Sequence, residues 1–341
     1  MNKRDIKSMY PRELEEYFKS ISERPFRAEQ VFKWLHCEAA AFDDMSNLSI
    51  VLRNRLDAEF YIMPPEIAGK LVSEIDGTIK YLWRYSDGNA VESVVMQYTH
   101  GNTVCVSTQA GCRMGCVFCA STLEGLERNL TASEIEDQVI HSQKDSGKRI
   151  SGVVLMGTGE PLDNYENVLR FIRNVNHPSG LNIGARHITL STCGIVPNID
   201  KLAGTDIQLT LSVSLHAPDD ETRNRLMPVN RVAGVEAVFD ACARYFKTTG
   251  RRVTYEYAMI DGINDTPHHA GLLAKRLKNK GSHVNLILLN SIPERNLNAS
   301  SAGSVLAFTG ILDREGINFT IRRRLGADIN AACGQLRREQ R

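Results

Sequence analysis

The sequence lacks the features that mark secreted and membrane-spanning chains. Its N-terminus has no apolar stretch of the signal-peptide kind, and no run approaches the roughly 18 apolar residues of a membrane span. Eight cysteines in 341 residues are too few for a disulfide-rich secreted scaffold. These absences predict a cytoplasmic protein with no membrane attachment. Thiols stay reduced in the cytoplasm, so grouped cysteines there indicate metal binding or catalysis.

An excess of charge of one sign is also missing. Lys and Arg number 41 against 40 Asp and Glu, which gives a net charge of +1. This balance excludes a strongly cationic nucleic-acid coat and an acidic disordered tail, and it leaves room for a local basic groove. Arginine grips phosphates and stacks on bases, so local groups of arginine are candidates for RNA contact, the alternative being that they are merely solvated. The basic residues concerned are Arg223, Arg225, Arg231, Arg244, Lys247, Arg251, Arg252, Arg322, Arg323, Arg324, Arg337, Arg338 and Arg341.

The hydrophobic pattern changes twice along the chain. Residues 1–60 carry apolar side chains at helical spacing. From about residue 66, short alternating runs are broken by Asp76-Gly77 and Asp87-Gly88, a pattern typical of β-hairpins. Beyond residue 103, strands alternate with helices, which requires crossover connections and a parallel sheet. The predicted strands are 103–108, 152–156, 187–192, 207–215, 252–259, 283–289 and 317–322, and the predicted helices are 131–146, 164–175, 196–203, 234–247, 267–279 and 300–315.

Six or more such units, with no Gly-x-Gly-x-x-Gly after the first strand, favour an α/β barrel or partial barrel over a doubly wound sheet. Functional residues of a barrel collect at the C-terminal ends of its strands. Ser191 and Ser214-Leu215-His216 are two polar strand ends over the same mouth, and 157–161 and Asn290 extend the ring.

The segment with the most closely spaced candidate metal ligands is Cys112-Arg-Met-Gly-Cys116-Val-Phe-Cys119, which follows the first barrel strand. Its spacing matches neither a four-ligand zinc ribbon nor the four-cysteine ferredoxin run. Three close thiolates can hold three corners of a [4Fe–4S] cubane and leave the fourth iron open to a substrate or cofactor. The alternatives are a zinc site completed by a distant His and a chance grouping of buried thiols.

This cysteine spacing resembles that of the radical S-adenosylmethionine (radical SAM) superfamily, and the surrounding segments resemble the RlmN/Cfr family of RNA methyltransferases within it. Thr158 departs from the family pattern, which has Met between the two glycines. The segments that carry the resemblance are Cys105-Val-Ser-Thr-Gln-Ala-Gly-Cys112, Arg128-Asn-Leu-Thr131, Met156-Gly-Thr-Gly-Glu-Pro-Leu162, Leu190-Ser-Thr-Cys-Gly194, Ser214-Leu-His-Ala217, Arg225-Leu-Met-Pro228, His283-Val-Asn285 and Asp328-Ile-Asn-Ala-Ala-Cys333-Gly.

The resemblance implies a partial (β/α)6 radical SAM barrel with a small N-terminal helical accessory domain and a β-hairpin extension. It implies an RNA-binding helical domain at 1–62, a hairpin linker at 63–102, the barrel at 103–330 and a tail at 331–341 that carries the methylated cysteine. The implied cofactors are one [4Fe–4S] cluster and SAM.

The resemblance also assigns roles to individual residues. It implies that Cys333 becomes S-methylated, that Cys105 is its disulfide partner and that Glu92 accepts a proton. It implies that the cluster ligands are Cys112, Cys116 and Cys119. The positions that hold SAM in the family correspond to Gly159, Glu160, Ser191, Ser214, Leu215, His216 and Asn290.

The implied reaction methylates C2 of adenosine 2503 in 23S rRNA and of adenosine 37 in tRNAs. It uses two SAM molecules per turnover, an S-methylcysteine intermediate and a 5′-deoxyadenosyl radical. The partners would be 23S rRNA, tRNA and an external one-electron donor of the flavodoxin kind, and the enzyme would be a cytoplasmic monomer. Two alternatives stay open: Cfr-like methylation at C8 of the same rRNA adenosine, and a noncatalytic Fe–S or zinc RNA-binding assembly factor.

Overall fold

The computed structural model describes residues 3–37 and 39–336, so the predicted tail arginines Arg337, Arg338 and Arg341 lie outside the described residues. The N-terminal segment packs Leu14, Phe18, Phe32 and Leu56 into a hydrophobic cluster of its own. Its apolar side chains recur at helical spacing, which is why the segment folds as helices. The elements of this segment are β1 (Arg4–Asp5), α1 (Pro11–Ser20), α2 (Phe26–Cys37), α3 (Ile50–Glu59) and β2 (Phe60–Tyr61).

Three antiparallel strands follow: β3 (Glu66–Val72), β4 (Ile79–Arg84) and β5 (Ala90–Tyr98). The two predicted turns join them, with Gly77 at φ 70° and Gly88 at φ 84°, conformations that glycine adopts without strain. β5 also pairs antiparallel with the first barrel strand, so this meander extends the barrel sheet instead of forming a separate one.

Seven parallel strands form the barrel wall, and helices cover its outside. The strands, together with the short antiparallel pair β7–β8, are β6 (Gly101–Cys105), β7 (Gln109–Gly111), β8 (Leu126–Asn129), β9 (Ile150–Leu155), β10 (Ile188–Thr192), β11 (Thr210–Ser214), β12 (Thr254–Met259), β13 (His283–Leu288) and β14 (Phe319–Ile321). The helices are α4 (Ala132–Ser146), α5 (Tyr165–Asn176), α6 (Val196–Ala203), α7 (Asp220–Leu226), α8 (Val235–Thr249), α9 (Pro267–Leu277) and α10 (Ala302–Arg314).

The strand order is β14-β13-β12-β11-β10-β9-β6-β5-β4-β3, so the sheet has two edges and the barrel is partial. The predicted α/β fold class is therefore confirmed. The β7–β8 pair and α7 are elements that the sequence pattern did not predict. No helix in the described part of the chain has both the length and the apolar character needed to cross a membrane.

Period-2 alternation explains how β11 supplies both core and site. Leu209, Leu211, Val213 and Leu215 are fully buried in the main hydrophobic core between sheet and helices. The alternate side chains point to the barrel interior. The polar residues at the carboxyl ends of the strands are thus collected at one mouth of the barrel.

Candidate active site

The carboxyl ends of the barrel strands and the cysteine loop enclose a cavity of about 970 Å³, called here the barrel cavity. Most of the residues predicted from the sequence to bind a cluster or SAM line it. They are Cys112, Cys116, Cys119, Gly159, Glu160, Ser191, Ser214, His216 and Asn290.

The cysteine loop begins directly after β7 and is held by its own backbone. The Cys112 N–H donates to the Gly125 carbonyl at 2.9 Å. The Thr122 hydroxyl donates to the carbonyl oxygens of Cys116 (3.1 Å) and Cys119 (3.0 Å), which closes the second half of the loop. Burial raises the pKa of all three thiols, Cys112 to about 12, so binding as thiolates would release protons.

These three cysteines line one cavity without meeting at a single point. Among residues 3–37 and 39–336, no three His, Cys, Asp or Glu side chains converge as ligands of one metal ion do. The thiolates of a cubane cluster bind different irons, so they stand further apart than the ligands of a mononuclear zinc site. Three thiols of one loop are a donor set that a cluster of several irons can use.

The segment after β9 brings bare backbone to the cavity wall. Gly159 adopts φ 107°, and a Cβ there would lie 2.6 Å from the Gln109 Cβ. A Cβ on Gly157 would lie 2.7 Å from the Ser107 hydroxyl. Only glycine fits at either position, because a side chain would collide with the neighbouring segment 106–109, and the backbone of both glycines lines the cavity.

Glu160 is buried, and both of its carboxylate oxygens are occupied. The Cys193 N–H donates to Oε2 at 2.7 Å, and the Leu162 N–H donates to Oε1 at 3.0 Å. Burial raises the Glu160 pKa, and these backbone donors act in the opposite direction. Glu160 thus ties the end of β9 to the end of β10.

Ser191 and Ser214 stand on adjacent strands, with their hydroxyl oxygens 3.5 Å apart. Leu215 differs from the other predicted SAM positions because its side chain packs into the main core and does not line the cavity. Its backbone is also engaged, since its N–H donates to the Glu256 carbonyl at 3.0 Å.

His216 is held in a defined protonation state. It adopts φ 55°, and its Nδ1 accepts the Ala258 N–H at 2.9 Å. Burial lowers its pKa to about 3, so the ring is neutral at physiological pH. With Nδ1 accepting, the hydrogen lies on Nε2, which makes the ring a hydrogen-bond donor. The edge of the ring packs against Phe118 of the cysteine loop.

Two buried side chains of the cavity wall each have an oxygen without a hydrogen-bond donor. Among the described residues, none lies within hydrogen-bond reach of Asn290 Oδ1 or Glu256 Oε2, and Glu256 Oε2 is ion-paired with Arg322 at 3.6 Å. Glu256 Oε1 accepts from Ser212 (2.6 Å) and Asn285 (2.8 Å). Glu256 was not among the residues predicted from the sequence, although a single carboxylate within the otherwise uncharged β12 is a signal that could have indicated it.

A second cavity, of about 1090 Å³, lies between β5, β6 and the C-terminal segment, and it is called here the tail cavity. Cys105 on β6 lines it, as does Cys333. Cys333 also lines the barrel cavity, so this residue stands at the boundary between the two. The other residues that line both cavities are Met156, Ile287, Leu289 and Asn290.

The two thiols of the tail cavity are both protonated at neutral pH. Burial raises the pKa of Cys105 to about 12. Desolvation by the surrounding protein raises the pKa of Cys333, and Arg322 acts in the opposite direction. Cys333 itself is exposed at the cavity boundary, whereas Cys105 is buried.

Glu92 lies on β5 and lines neither cavity. Its carboxylate is buried and pairs with Lys80 at 2.9 Å. Val94 and Met96, the next alternate residues of β5, line the tail cavity. Because side chains alternate along a strand, Glu92 shares their face of the sheet.

Arg223 overturns one expectation from the sequence. Instead of offering its charge to RNA, its side chain is buried with 1% exposure. It donates to the carbonyls of Leu215 (3.0 Å), Ser214 (3.0 Å) and Cys193 (2.6 Å) and to Asn230 Oδ1 (2.7 Å). These strand-end carbonyls need donors once they are buried, and the planar guanidinium supplies several in one plane.

Comparison with known proteins places this site in a family. Residues 106–271 match the family model described as the radical SAM superfamily. Residues 5–62 match the model described as the ribosomal RNA large subunit methyltransferase N-terminal domain. The "Probable dual-specificity RNA methyltransferase RlmN" of Clostridium novyi is 52% identical over 327 residues, which cover 96% of this chain and 95% of that protein. The chain belongs to the RlmN family.

Other RlmN relatives match over nearly their full length. The protein of the same description from Alkaliphilus oremlandii is 50% identical over 339 residues, 99% of each chain. A crystal structure of a radical SAM methyltransferase from Sphaerobacter thermophilus superposes with a TM-score of 0.93 at 42% identity, covering 98% of this chain and 100% of that one. The predicted radical SAM barrel and the predicted resemblance are confirmed.

RlmN membership brings two cofactors, a [4Fe–4S] cluster and SAM, and the barrel cavity fits both. Three thiols of one loop supply sulfur ligands. Gly157 and Gly159 line the cavity with backbone alone and can bring it close to a ligand. Asn290 and His216 both line the cavity, and Asn290 Oδ1 has no hydrogen-bond partner among the described residues.

Proposed function

We propose that this protein methylates C2 of adenosine 2503 in 23S rRNA and of adenosine 37 in tRNAs. The observation that carries the proposal is the position of Cys333, which lines both the cavity with the cysteine loop and the cavity with Cys105. A thiol that first accepts a methyl group from SAM and later closes a disulfide needs access to both partners. RNA as substrate is also supported by the names of the relatives.

The residues of the barrel cavity would hold the cofactors. In this proposal Cys112, Cys116 and Cys119 bind the cluster, and the bound cluster would supply the electron that cleaves SAM. The residues that hold SAM are Gly159, Glu160, Ser191, Ser214, Leu215, His216 and Asn290. Leu215 and Glu160 act through the backbone that they position, because the Leu215 side chain is in the core and both Glu160 oxygens are bonded within the protein.

The residues around the tail cavity would carry the later steps. Cys333 loses its thiol proton and accepts a methyl group at sulfur in a displacement. The methyl group would lose one hydrogen atom to the 5′-deoxyadenosyl radical before its carbon bonds to adenine C2, and one electron would return from the adduct to the bound cluster. Glu92 then accepts the proton that leaves C2. The Cys105 thiol loses its proton and its sulfur bonds to the Cys333 sulfur as the carbon–sulfur bond breaks, and the freed carbon takes up a proton to become the methyl group of the product. The resulting disulfide is reduced by cellular thiols, which restores both thiols for the next turnover.

The tail cavity is where the adenine would enter. Its mouth carries Tyr98, whose ring stacks on His100 at 5.3 Å, and the basic run 322–324. Aromatic rings and arginines are the side chains that hold a base displaced from its stack. We propose that residues 1–62 add further RNA contacts, that residues 63–102 link them to the barrel of residues 103–330, and that the tail of residues 331–341 presents Cys333. The match of residues 5–62 to the rRNA methyltransferase N-terminal domain supports the first of these assignments.

Three further elements of the proposal follow from this chemistry. The electron for SAM cleavage comes from an external one-electron donor of the flavodoxin kind. The enzyme works as a monomer, because one chain supplies both cavities. It works in the cytoplasm, without membrane attachment, where its RNA substrates and reducing thiols are found.

Isomer-resolved mass spectrometry tests the proposal. The protein is expressed in a host without its own enzyme, and nucleosides from 23S rRNA and tRNA are digested and separated. We expect 2-methyladenosine in both RNAs. The 8-methyl isomer would show Cfr-like chemistry. If neither methyl product forms in either RNA, the protein is not this enzyme.

Two cysteine variants test the proposed sequence of steps. Cys333→Ala abolishes methylation, because no thiol receives the methyl group. Cys105→Ala traps a covalent protein–RNA adduct, because no second thiol releases it. Cys37→Ala is a control, since Cys37 is an exposed thiol at the end of α2. Turnover by Cys333→Ala would contradict the two-step mechanism.

A further inference from the structure

The segment that carries Cys333 is fixed to the barrel on one side. The Asn290 amide donates to the Cys333 carbonyl at 3.1 Å. The Ala120 N–H, just after the cysteine loop, donates to the Gly334 carbonyl at 2.8 Å. The Ser121 hydroxyl donates to the Leu336 carbonyl at 2.9 Å. These contacts hold the backbone on the C-terminal side of Cys333 against the barrel cavity.

On the other side of Cys333, the segment 326–330 is bonded to the turn between β3 and β4. The Ser73 hydroxyl donates to Asp328 Oδ1 at 2.7 Å, and the Glu74 N–H donates to Oδ2 at 3.0 Å. Both oxygens of one carboxylate are therefore occupied by a turn more than 250 residues earlier in the chain. Hydrogen bonding from Ser73 lowers the Asp328 pKa, so this carboxylate is ionised at neutral pH.

A second carboxylate makes the reciprocal contact. Asp76 of the same turn accepts the Gly326 N–H at 2.9 Å and the Thr78 N–H at 3.0 Å. Gly326 adopts φ 61°, and a Cβ there would lie 2.6 Å from the Ala331 Cβ and 3.0 Å from the Thr78 methyl group. The segment therefore turns sharply at a position where only glycine fits against the hairpin.

Lys80 provides a third link. Its ammonium group pairs with Glu92 at 2.9 Å and donates to the Asn330 carbonyl at 3.4 Å. The side chains of Lys80 and Glu92 are 11% and 4% exposed, so the pair is shielded from water. One lysine thus joins the hairpin, the carboxylate proposed as proton acceptor and the backbone three residues before Cys333.

We propose that the β3–β4 turn is a clamp for the segment that carries Cys333, and that Asp76, Asp328 and Lys80 are positioning residues for the chemistry at that cysteine. This inference rests on the proposed function of Cys333. The clamp and the Asn290 contact hold the chain on both sides of Cys333. A thiol held from both sides stays at the boundary of the two cavities, where methylation and disulfide closure both require it.

Removing Asp328 should loosen the clamp without unfolding the protein. Asp328 is mostly exposed, and an exposed carboxylate with two donors adds little to overall stability. Its removal should therefore leave the fold in place and release only the segment 326–332. A small displacement of a reacting atom slows a positioned reaction strongly, while substrate binding elsewhere on the protein is unchanged.

The experiment compares Asp328→Ala, Asp328→Asn and Asp76→Ala with the wild-type holoenzyme in steady-state assays. Two quantities are measured: S-methylation of Cys333 by peptide mass spectrometry, and methylation of 23S rRNA fragments. We expect Asp328→Ala to lower kcat about tenfold or more, which is about 1.4 kcal/mol of positioning, with KM for RNA within about twofold. Asp328→Asn keeps the acceptor for Ser73 and should recover part of the rate.

Two controls separate positioning from folding. Ile75→Ala changes the same turn at a side chain that is 74% exposed. Asp206→Asn removes a carboxylate that is 91% exposed and distant from the turn. Both should keep the wild-type kcat, and all variants should keep the wild-type iron content and melting temperature.

The outcomes are distinguishable. Wild-type protein without S-methylated Cys333 would overturn the proposed function and the clamp with it. Normal S-methylation in the wild type, with kcat unchanged in Asp328→Ala and Asp76→Ala, would overturn the clamp alone. If an alanine variant does not fold, Asp328→Asn decides: a rate equal to the wild type would refute the clamp, and a lowered kcat at constant KM would support it.

Discussion

Replacing Glu160 by Gln should weaken both the fold and SAM binding, by an amount that the structure allows us to work out. The carboxylate accepts two buried backbone N–H groups, from Cys193 at 2.7 Å and from Leu162 at 3.0 Å. Glutamine keeps one acceptor oxygen and places an NH₂ group against the other donor. One buried N–H is then left without an acceptor, which costs about 1–3 kcal/mol.

A partial compensation reduces this cost. Burial raises the Glu160 pKa, which means that the ionised carboxylate is itself disfavoured in its site. The neutral amide avoids that penalty, so we expect a net loss of about 1–2 kcal/mol. With an unfolding entropy of about 2.1 cal/mol/K per residue, this loss lowers the Tm of a cooperative 341-residue chain by about 1–3 °C.

The effect on SAM binding should be of similar size to the effect on stability. Cys193, which supplies one of the two N–H donors, lies two residues after Ser191, which lines the barrel cavity. If that strand end moves, the SAM dissociation constant should rise about tenfold, equivalent to about 1.4 kcal/mol. Anaerobic calorimetry of thermal unfolding and titration with SAM measure the two quantities.

Two further variants show whether the reasoning holds. Glu160→Ala removes both acceptors and leaves a cavity, so its Tm should fall further than that of Glu160→Gln. Glu166→Gln, exposed on α5, should change stability by at most about 0.5 kcal/mol. If Glu160→Gln keeps the wild-type Tm and SAM affinity, the two hydrogen bonds do not hold the strand ends and the explanation fails.

Three more predictions address the same cavity and the helix behind it. Arg223→Lys replaces a planar guanidinium group that donates four hydrogen bonds by a single ammonium group. We expect the free energy of unfolding to fall by about 2–4 kcal/mol and SAM binding, measured by calorimetry, to weaken at least tenfold. An unchanged SAM affinity would contradict this prediction. Gly159→Ala places a Cβ 2.6 Å from Gln109 at φ 107° and should prevent SAM binding while the cysteine variants of the tail cavity retain it. Burial lowers the pKa of His141 to about 4, so as the pH falls His141 takes up a proton in the unfolded chain before it does so in the folded protein. The free energy of unfolding therefore decreases as the pH falls from 6.5 to 4. His141→Gln should lessen that loss in urea unfolding at pH 7, 5.5 and 4.5, and an equal loss in both proteins would refute the assignment.

Much of the barrel could be predicted because its elements are encoded locally. The helix predicted at 196–203 is α6, and the strand predicted at 187–192 contains β10. In both, burial follows the period of the secondary structure, so one stretch of sequence carries the whole signal. The turns at Asp76-Gly77 and Asp87-Gly88 were equally local, since each needs a left-handed glycine.

The contacts of charged residues could not be predicted, because they depend on distant partners. In the sequence, Arg223 is one of several basic residues and looks like a solvated or RNA-binding side chain. The fold places it beneath the ends of β10 and β11, where buried carbonyls require donors. Asp328 and Lys80 likewise gain their roles only when the sheet brings the hairpin and the C-terminal segment together.

Residues of the barrel cavity can support SAM binding in two ways, by direct contact or by holding the backbone in place. Ser191 and Ser214 line the barrel cavity, so their hydroxyls can contact a ligand directly. Both Glu160 carboxylate oxygens accept hydrogen bonds from backbone N–H groups, and Gly159 has no side chain. We therefore expect direct-contact variants such as Ser214→Ala to weaken SAM binding without lowering Tm, whereas Glu160→Gln lowers both. Equal loss of Tm in the two variants would show that Ser214 also stabilises the fold. A fall in affinity in Glu160→Gln alone would show that SAM binding depends on the backbone at the strand ends more than on the Ser214 hydroxyl.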